Sequence, residues 1–237
     1  MNPYYSKNGI TIYNEDCLEA MKRMSDKSID LVLADPPYNV GQNFANDNLG
    51  KKEYLCFMQN WIAEAYRLLK DGGAFYMFHY FIGMWDIKPI LDNFEWEFIN
   101  LIIWAYPNLM PSNKRKNYRW PLSYQPIFYY GKNYKRDLVG KLYGLKVDER
   151  KDVWLKTATQ SNFKKEFKYH SSCKPIAVIE KIIKTTEESD IILDPFLGSG
   201  TTLVACKKFG RQAIGIEISK EYCDISIKRL TQEYLKL

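Results

Sequence analysis

Ile191-Ile192-Leu193-Asp194-Pro195-Phe196-Leu197-Gly198-Ser199-Gly200-Thr201-Thr202 is the stretch that decides the fold of this chain. An apolar run stops at an acid and a proline, glycines follow, and two threonines open a helical pattern that runs to Phe209 and closes at Gly210. A short apolar run ended in this way suits a central parallel strand buried on both faces. Glycines at a strand-to-helix turn let a ligand approach the backbone, and the helix start presents free N–H groups. Glu217 ends the next short strand, Ala213 to Ile216, and stands 19 positions after Gly198. An acid about 20 positions beyond a glycine turn is placed to accept hydrogen bonds from ribose hydroxyls. Strand, turn, helix and acid together favour a nucleoside-containing ligand over a plain tight turn. The GK[ST] ending of a phosphate-binding loop is absent, which disfavours a nucleoside triphosphate.

A second apolar run, Ile29 to Leu33, feeds Asp35-Pro36-Pro37-Tyr38. Consecutive prolines fix the backbone and remove two N–H donors, so the turn displays carbonyls and side chains in a rigid frame. An amino group on a planar base needs acceptors for its two hydrogens and a surface to stack on. The Asp35 carboxylate and Pro36 carbonyl suit the first need and Tyr38 the second, with Pro37 holding the turn stiff. A rigid turn carrying an exposed Asp is the plain alternative.

Outward from these turns, Leu55, Met58, Ile62, Ala65 and Leu69 form one helical stripe that ends before Asp71-Gly72-Gly73. Ala74 to Phe78, Phe98 to Trp104 and Ile127 to Tyr130 read as strands. Ile176, Ile179 and Ile183 mark a helix, and Ile227, Leu230 and Tyr234 a last one. Alternating strands and helices predict an α/β doubly wound sheet. Three parts are expected: 1–107, a basic loop-rich insertion over 108–169 that includes a core strand near 127–130, and 170–237.

The chain of 237 residues is 46% hydrophobic and 15% aromatic, enough for one large domain with a real core. Its N-terminus lacks a signal-peptide layout and no apolar run reaches the roughly 18 residues of a membrane span, so a cytoplasmic protein is expected. Five cysteines without a CxxC pair and two histidines argue against a metal site or a disulfide framework. Between Pro111 and His170 fifteen Lys and Arg stand against five Asp and Glu, a local net of +10. The whole chain carries +6, which leaves −4 elsewhere. Such asymmetry suits either a surface that meets a polyanion or a solvated charged insertion.

As a pair, the two motifs resemble the signatures of the S-adenosylmethionine-dependent DNA amino-methyltransferases. Catalytic motif first, insertion next and cofactor motif last is similar to the β-class of that family, over almost the whole chain. The resemblance implies a Rossmann-like sheet of the class I methyltransferase type with circularly permuted motif order, and S-adenosyl-L-methionine as cofactor. It implies site-specific methylation of N6 of an adenine flipped out of double-stranded DNA, by Asp35, Pro36, Pro37 and Tyr38. In the family, Asp at the first motif position is typical of adenine enzymes and Ser is commoner for cytosine N4. Cytosine N4, an RNA or protein amine, and a non-catalytic binder stay open. None of the cysteines sits in the Pro-Cys context that ring-carbon methylation of cytosine requires.

Further assignments follow from the resemblance alone. Asp35, Asp194, Phe196, Gly198, Ser199, Gly200, Thr201, Thr202 and Glu217 would meet the cofactor. Asn14 to Cys17 resembles the segment that contacts its adenine through Asp16 and Cys17, although Asp16 equally suits a helix N-cap before Leu18. His170 to Pro175 resembles the stretch lining the methionine end, through His170, Lys174 and Pro175; Ser171 stands where relatives often carry proline. Lys114, Arg115, Lys116 and Arg119, interleaved with Tyr118 and Trp120, would grip DNA phosphates. Asn39 to Lys51 is either a loop that closes over the site or a plain surface loop. A cognate restriction endonuclease and a homodimer are left open as partners, and no membrane is implied.

Overall fold

The computed structural model describes residues 2–41, 46–107, 122–133, 145–146, 149–156 and 173–232. Among the described residues nine strands form one sheet: β1 (Tyr5–Lys7), β2 (Ile10–Tyr13), β3 (Ile29–Ala34), β4 (Leu69–Phe78), β5 (Trp96–Ala105), β6 (Tyr124–Lys132), β7 (Val153–Leu155), β8 (Ile191–Asp194) and β9 (Gln212–Ile216). Their spatial order is β1-β2-β9-β8-β3-β4-β6-β5-β7. From β2 to β4 neighbours run parallel, whereas β6 is antiparallel to both β4 and β5.

Six helices among the described residues cover the two faces. On one side lie α1 (Cys17–Lys22), α2 (Lys51–Leu68) and α3 (Met84–Leu91), which share a buried cluster with Val32, Phe75 and Met77. On the other lie α4 (Ile176–Ile183), α5 (Thr201–Lys208) and α6 (Lys220–Thr231), packed with Leu31, Leu33 and Ile192. Leu31, Val32 and Leu33 thus send side chains to alternate layers, as a central strand buried on both faces must.

The chain leaves β3 through α2 toward β4 on one side, and leaves β8 through α5 toward β9 on the other. Because β3 and β8 are adjacent, their outgoing connections diverge and open a crevice at the carboxyl ends of the strands, where open α/β sheets bind ligands. Trp61 of α2 is fully buried, its ring 5.1 Å edge-on to Phe196 and 5.9 Å from Phe75. It ties one helical layer to the glycine turn of the crevice. Burying one such ring stabilises by about 1.5–3 kcal/mol.

Several expectations shift in detail. The helical stripe ends before Asp71-Gly72-Gly73 as expected, at Leu68, but Leu69 opens β4 and Asp71-Gly72-Gly73 lies inside that strand, where pairing jumps from Ile29–Leu69 to Leu31–Ala74. The core strand expected near 127–130 is β6, and the same segment also supplies β7, which was not expected, to the common sheet. The Pro at position 89 lies inside α3, which hides that helix from a pattern search. Tyr234 lies outside the described residues.

Gly200 caps α5 with φ +81, and a Cβ there would meet Ser226 Oγ of α6 at 2.7 Å. Gly210 has φ +66 with open space around it. Both positions strain an L side chain, but only the first also clashes. Gly200→Ala should therefore lose at least about 1 kcal/mol more stability than Gly210→Ala in urea unfolding, within the range for strained backbone plus overpacking. Equal losses would show that α6 yields freely.

Candidate active site

The crevice holds a cavity of about 460 Å³ lined from the ends of β3, β8 and β9 and from the segment entering α1. Among the described residues lining it, seven are Asp or Glu and one, Lys174, is basic. Carboxylates at this density repel phosphates and welcome a cation, so the donor set fits a positively charged nucleoside and disfavours a nucleotide.

Glu217 ends β9 and accepts hydrogen bonds from the Gly198 N–H and the Ser219 N–H, each at 2.8 Å. Those bonds aim the carboxylate, which lines the cavity, and burial raises its pKa. Asp194 ends β8 and accepts from the Phe196 N–H at 3.0 Å, closing the turn that Phe196, Gly198 and Ser199 carry along the cavity wall. Burial, with Asp35 and Glu217 nearby, pushes its carboxyl from 3.8 up to about 7. Thr201 and Thr202 follow in the first turn of α5 and also face the cavity.

Asp35 leaves β3 into the two prolines. Its Oδ1 accepts from the Tyr38 hydroxyl, and its Oδ2 lies 2.5 Å from Lys174 Nζ. Gln125 Nε2 donates to the same Tyr38 hydroxyl at 2.6 Å. Behind the turn, the single Tyr54 hydroxyl hydrogen faces two acceptors, the Pro37 carbonyl and His79 Nε2, each 3.0 Å away. His79 Nδ1 donates to the Tyr80 carbonyl at 3.0 Å, and burial pushes the imidazole down to about 4, so it stays neutral. The proline turn therefore rests on a buried polar support from α2 and the end of β4.

A family model for DNA methylases of the N6/N4 type matches residues 29–228. The chain is 32% identical to the type II methyltransferase M2.MboI of Moraxella bovis, over 97% of this chain and 91% of that protein. It is 31% identical to the type II methyltransferase M2.DpnII of Streptococcus pneumoniae, over 98% and 93%. The chain belongs to the N6/N4 DNA methylases. Among solved structures, the PvuII DNA methyltransferase, described as cytosine-N4-specific, superposes with a TM-score of 0.82 at 20% identity, over 99% of this chain and 90% of that one. M1.HpyAVI, solved as a complex with SAM, superposes at 0.70 with 28% identity, over 94% and 100%. The motif order makes this a β-class methylase, with the class I methyltransferase fold.

In this methylase the expected site residues mostly converge. Asp16, Cys17, Asp35, Pro36, Pro37, Tyr38, Lys174, Asp194, Phe196, Gly198, Ser199, Thr201, Thr202 and Glu217 all line the one cavity. Asp16 serves both readings, since its side chain also accepts from the Leu18 and Glu19 N–H groups as N-cap of α1. Gly200 and Pro175 stand behind the wall, the first packed against Ser226 and the second capping α4. His170 and the Lys114, Arg115, Lys116 and Arg119 cluster lie outside the described residues. Burial pushes the Cys17 thiol up to about 12, so it lines the cavity as an unreactive wall.

Asp47 escaped the sequence reading. It is 1% exposed, lines the cavity and accepts from the Asn39 N–H at 2.6 Å and the Val40 N–H at 3.4 Å. An Asp eight residues beyond Asn39 in a polar loop gives no local signal. Tyr54, His79 and Gln125 were missed because their partners are distant in sequence; the position of His79 directly after β4, beside the central strand, was the available hint.

The raised Asp194 pKa fixes a pH dependence. Between about pH 4 and 7 the folded protein keeps a proton on Asp194 that the unfolded chain has released, so stability of the cofactor-free protein falls as pH rises through that window. Asp194→Asn should flatten the slope of unfolding free energy against pH there, by roughly 1–4 kcal/mol across the window. An unchanged slope would show that Asp194 is ionised in the folded state.

Proposed function

We propose that this methylase transfers the methyl group of S-adenosylmethionine to N6 of an adenine flipped out of duplex DNA. The observation that carries the proposal is the Asp35 carboxylate in the lining of a carboxylate-rich, cation-accepting cavity. S-adenosylmethionine supplies an electrophilic sulfonium methyl when bound. Glu217 would hold its ribose hydroxyls, Asp16 its adenine end, and the Phe196 to Thr202 turn its body.

The exocyclic amine of adenine is a poor nucleophile because its lone pair is shared with the ring. Asp35 and the Pro36 carbonyl would accept its two N–H bonds, drawing the pair back toward nitrogen and aiming it along the line of displacement. The Tyr38 hydroxyl sits on Asp35 Oδ1, so the incoming amine would displace it. That exchange frees the ring to meet the base. Nothing covalent forms with the protein. The Lys114 to Arg119 cluster would hold phosphates, giving salt-dependent affinity without sequence information.

A full carboxylate at position 35, rather than a hydroxyl, supports adenine over cytosine. The test is to incubate the protein with several DNAs and methyl-labelled S-adenosylmethionine, digest the product and identify the labelled nucleoside. N6-methyladenine is expected. N4-methylcytosine would overturn the choice of base and keep the amine chemistry, and label only in RNA or protein would overturn the substrate class.

A further inference from the structure

Lys174 lines the cavity, yet its partners lie on the catalytic side. Its side chain is 10% exposed, with Nζ 2.5 Å from Asp35 Oδ2 and 5.5 Å from the ring centroids of both Tyr38 and Phe78. One residue earlier, Cys173 Sγ lies 3.2 Å from Thr201 Oγ1 and accepts from Ser199 Oγ at 3.6 Å. Successive residues of one strap therefore reach the two motifs separately, Cys173 the glycine turn and Lys174 the proline turn. Pro175 follows at once as N-cap of α4, in extended geometry, and limits the path the strap can take.

We propose that Lys174 is a positioning residue for methyl transfer, holding one oxygen of Asp35 so that the other meets the target amine at a fixed angle. This rests on the role of Asp35 argued above. An aspartate side chain has two free torsions, so an unpinned carboxylate samples many directions. A buried ammonium on Oδ2, with three donors and no acceptor, removes that freedom. Oδ1 is then left with a neutral partner, the Tyr38 hydroxyl, which Gln125 Nε2 holds at 2.6 Å. A neutral hydroxyl is easily exchanged for an amine N–H, whereas the ion pair stays. Lys174 thus serves the chemistry through Asp35, and the cofactor gains little from it.

Lys174→Met and Lys174→Arg separate this role from a cofactor contact. Cofactor affinity is measured by calorimetry, and the methyl transfer rate in single turnover at saturating cofactor and DNA. Lys174→Met should lose about a hundredfold or more in rate, with cofactor Kd changed less than about threefold. Lys174→Arg, which keeps the charge, should recover at least about tenfold of that loss. A Kd weakened tenfold or more in Lys174→Met, whatever its rate, assigns Lys174 to the cofactor and overturns the proposal. An unchanged rate overturns it too. Asp35→Ala run alongside reports on the underlying reading: if transfer survives there, Asp35 is not the amine acceptor, and that outcome is separate from anything seen at Lys174.

Discussion

The parallel pairing of Leu31 with Ile192 and of Val32 with Leu193 is the contact on which the site depends. Two strands whose sequences lie some 160 residues apart end side by side, one in Asp35-Pro36-Pro37 and the other in Asp194-Pro195-Phe196. Their outgoing chains diverge, and the space between them is the cavity. A proline after each acid denies the strand its next ladder donor, and the two strands stop within one residue of each other in that register. Helix α2 then ties the pair of turns together, Trp61 by its edge contact with Phe196 and Tyr54 by its bond to the Pro37 carbonyl.

Electrostatics give this cavity its chemical character. Burial, with the charges of Asp35 and Glu217, makes Asp194 resist ionising, and the seven acidic residues among the described lining favour a cationic group. A single buried lysine interrupts that field, and it is spent on Asp35. The same cavity that suits a sulfonium therefore holds one of its carboxylates in an ion pair. Positive charge is concentrated elsewhere: the excess of Lys and Arg between positions 111 and 170 stands against a net acidic remainder.

Motifs carried by short contiguous segments were legible from sequence. The strands entering both turns, the glycine-capped helix and Glu217 all follow from apolar runs, turn residues and spacing; together with residues that only the family resemblance supplied, Asp16, Cys17 and Lys174 among them, fourteen of the named residues line one cavity. Two named residues, Gly200 and Pro175, support the wall instead, because a glycine or proline near a site serves backbone geometry as often as contact. Support that depends on distant pairing was not legible. His79, Tyr54 and Gln125 come from three elements that only the sheet order brings together, and Asp47 acts through two backbone N–H groups of its own loop. Short strands such as β1 and β7, three residues each, fall below the length at which alternation can be read.

The most direct measurement is to compare the wild-type protein with Asp35→Asn, an isosteric change, for S-adenosylmethionine affinity and for methyl transfer to DNA. Cofactor affinity preserved within about threefold, with transfer reduced by about a thousandfold or more, is the result expected if binding and amine orientation are the separate tasks of two neighbouring turns. Transfer that survives in Asp35→Asn with its rate nearly intact would contradict the placement of the chemistry at the proline turn.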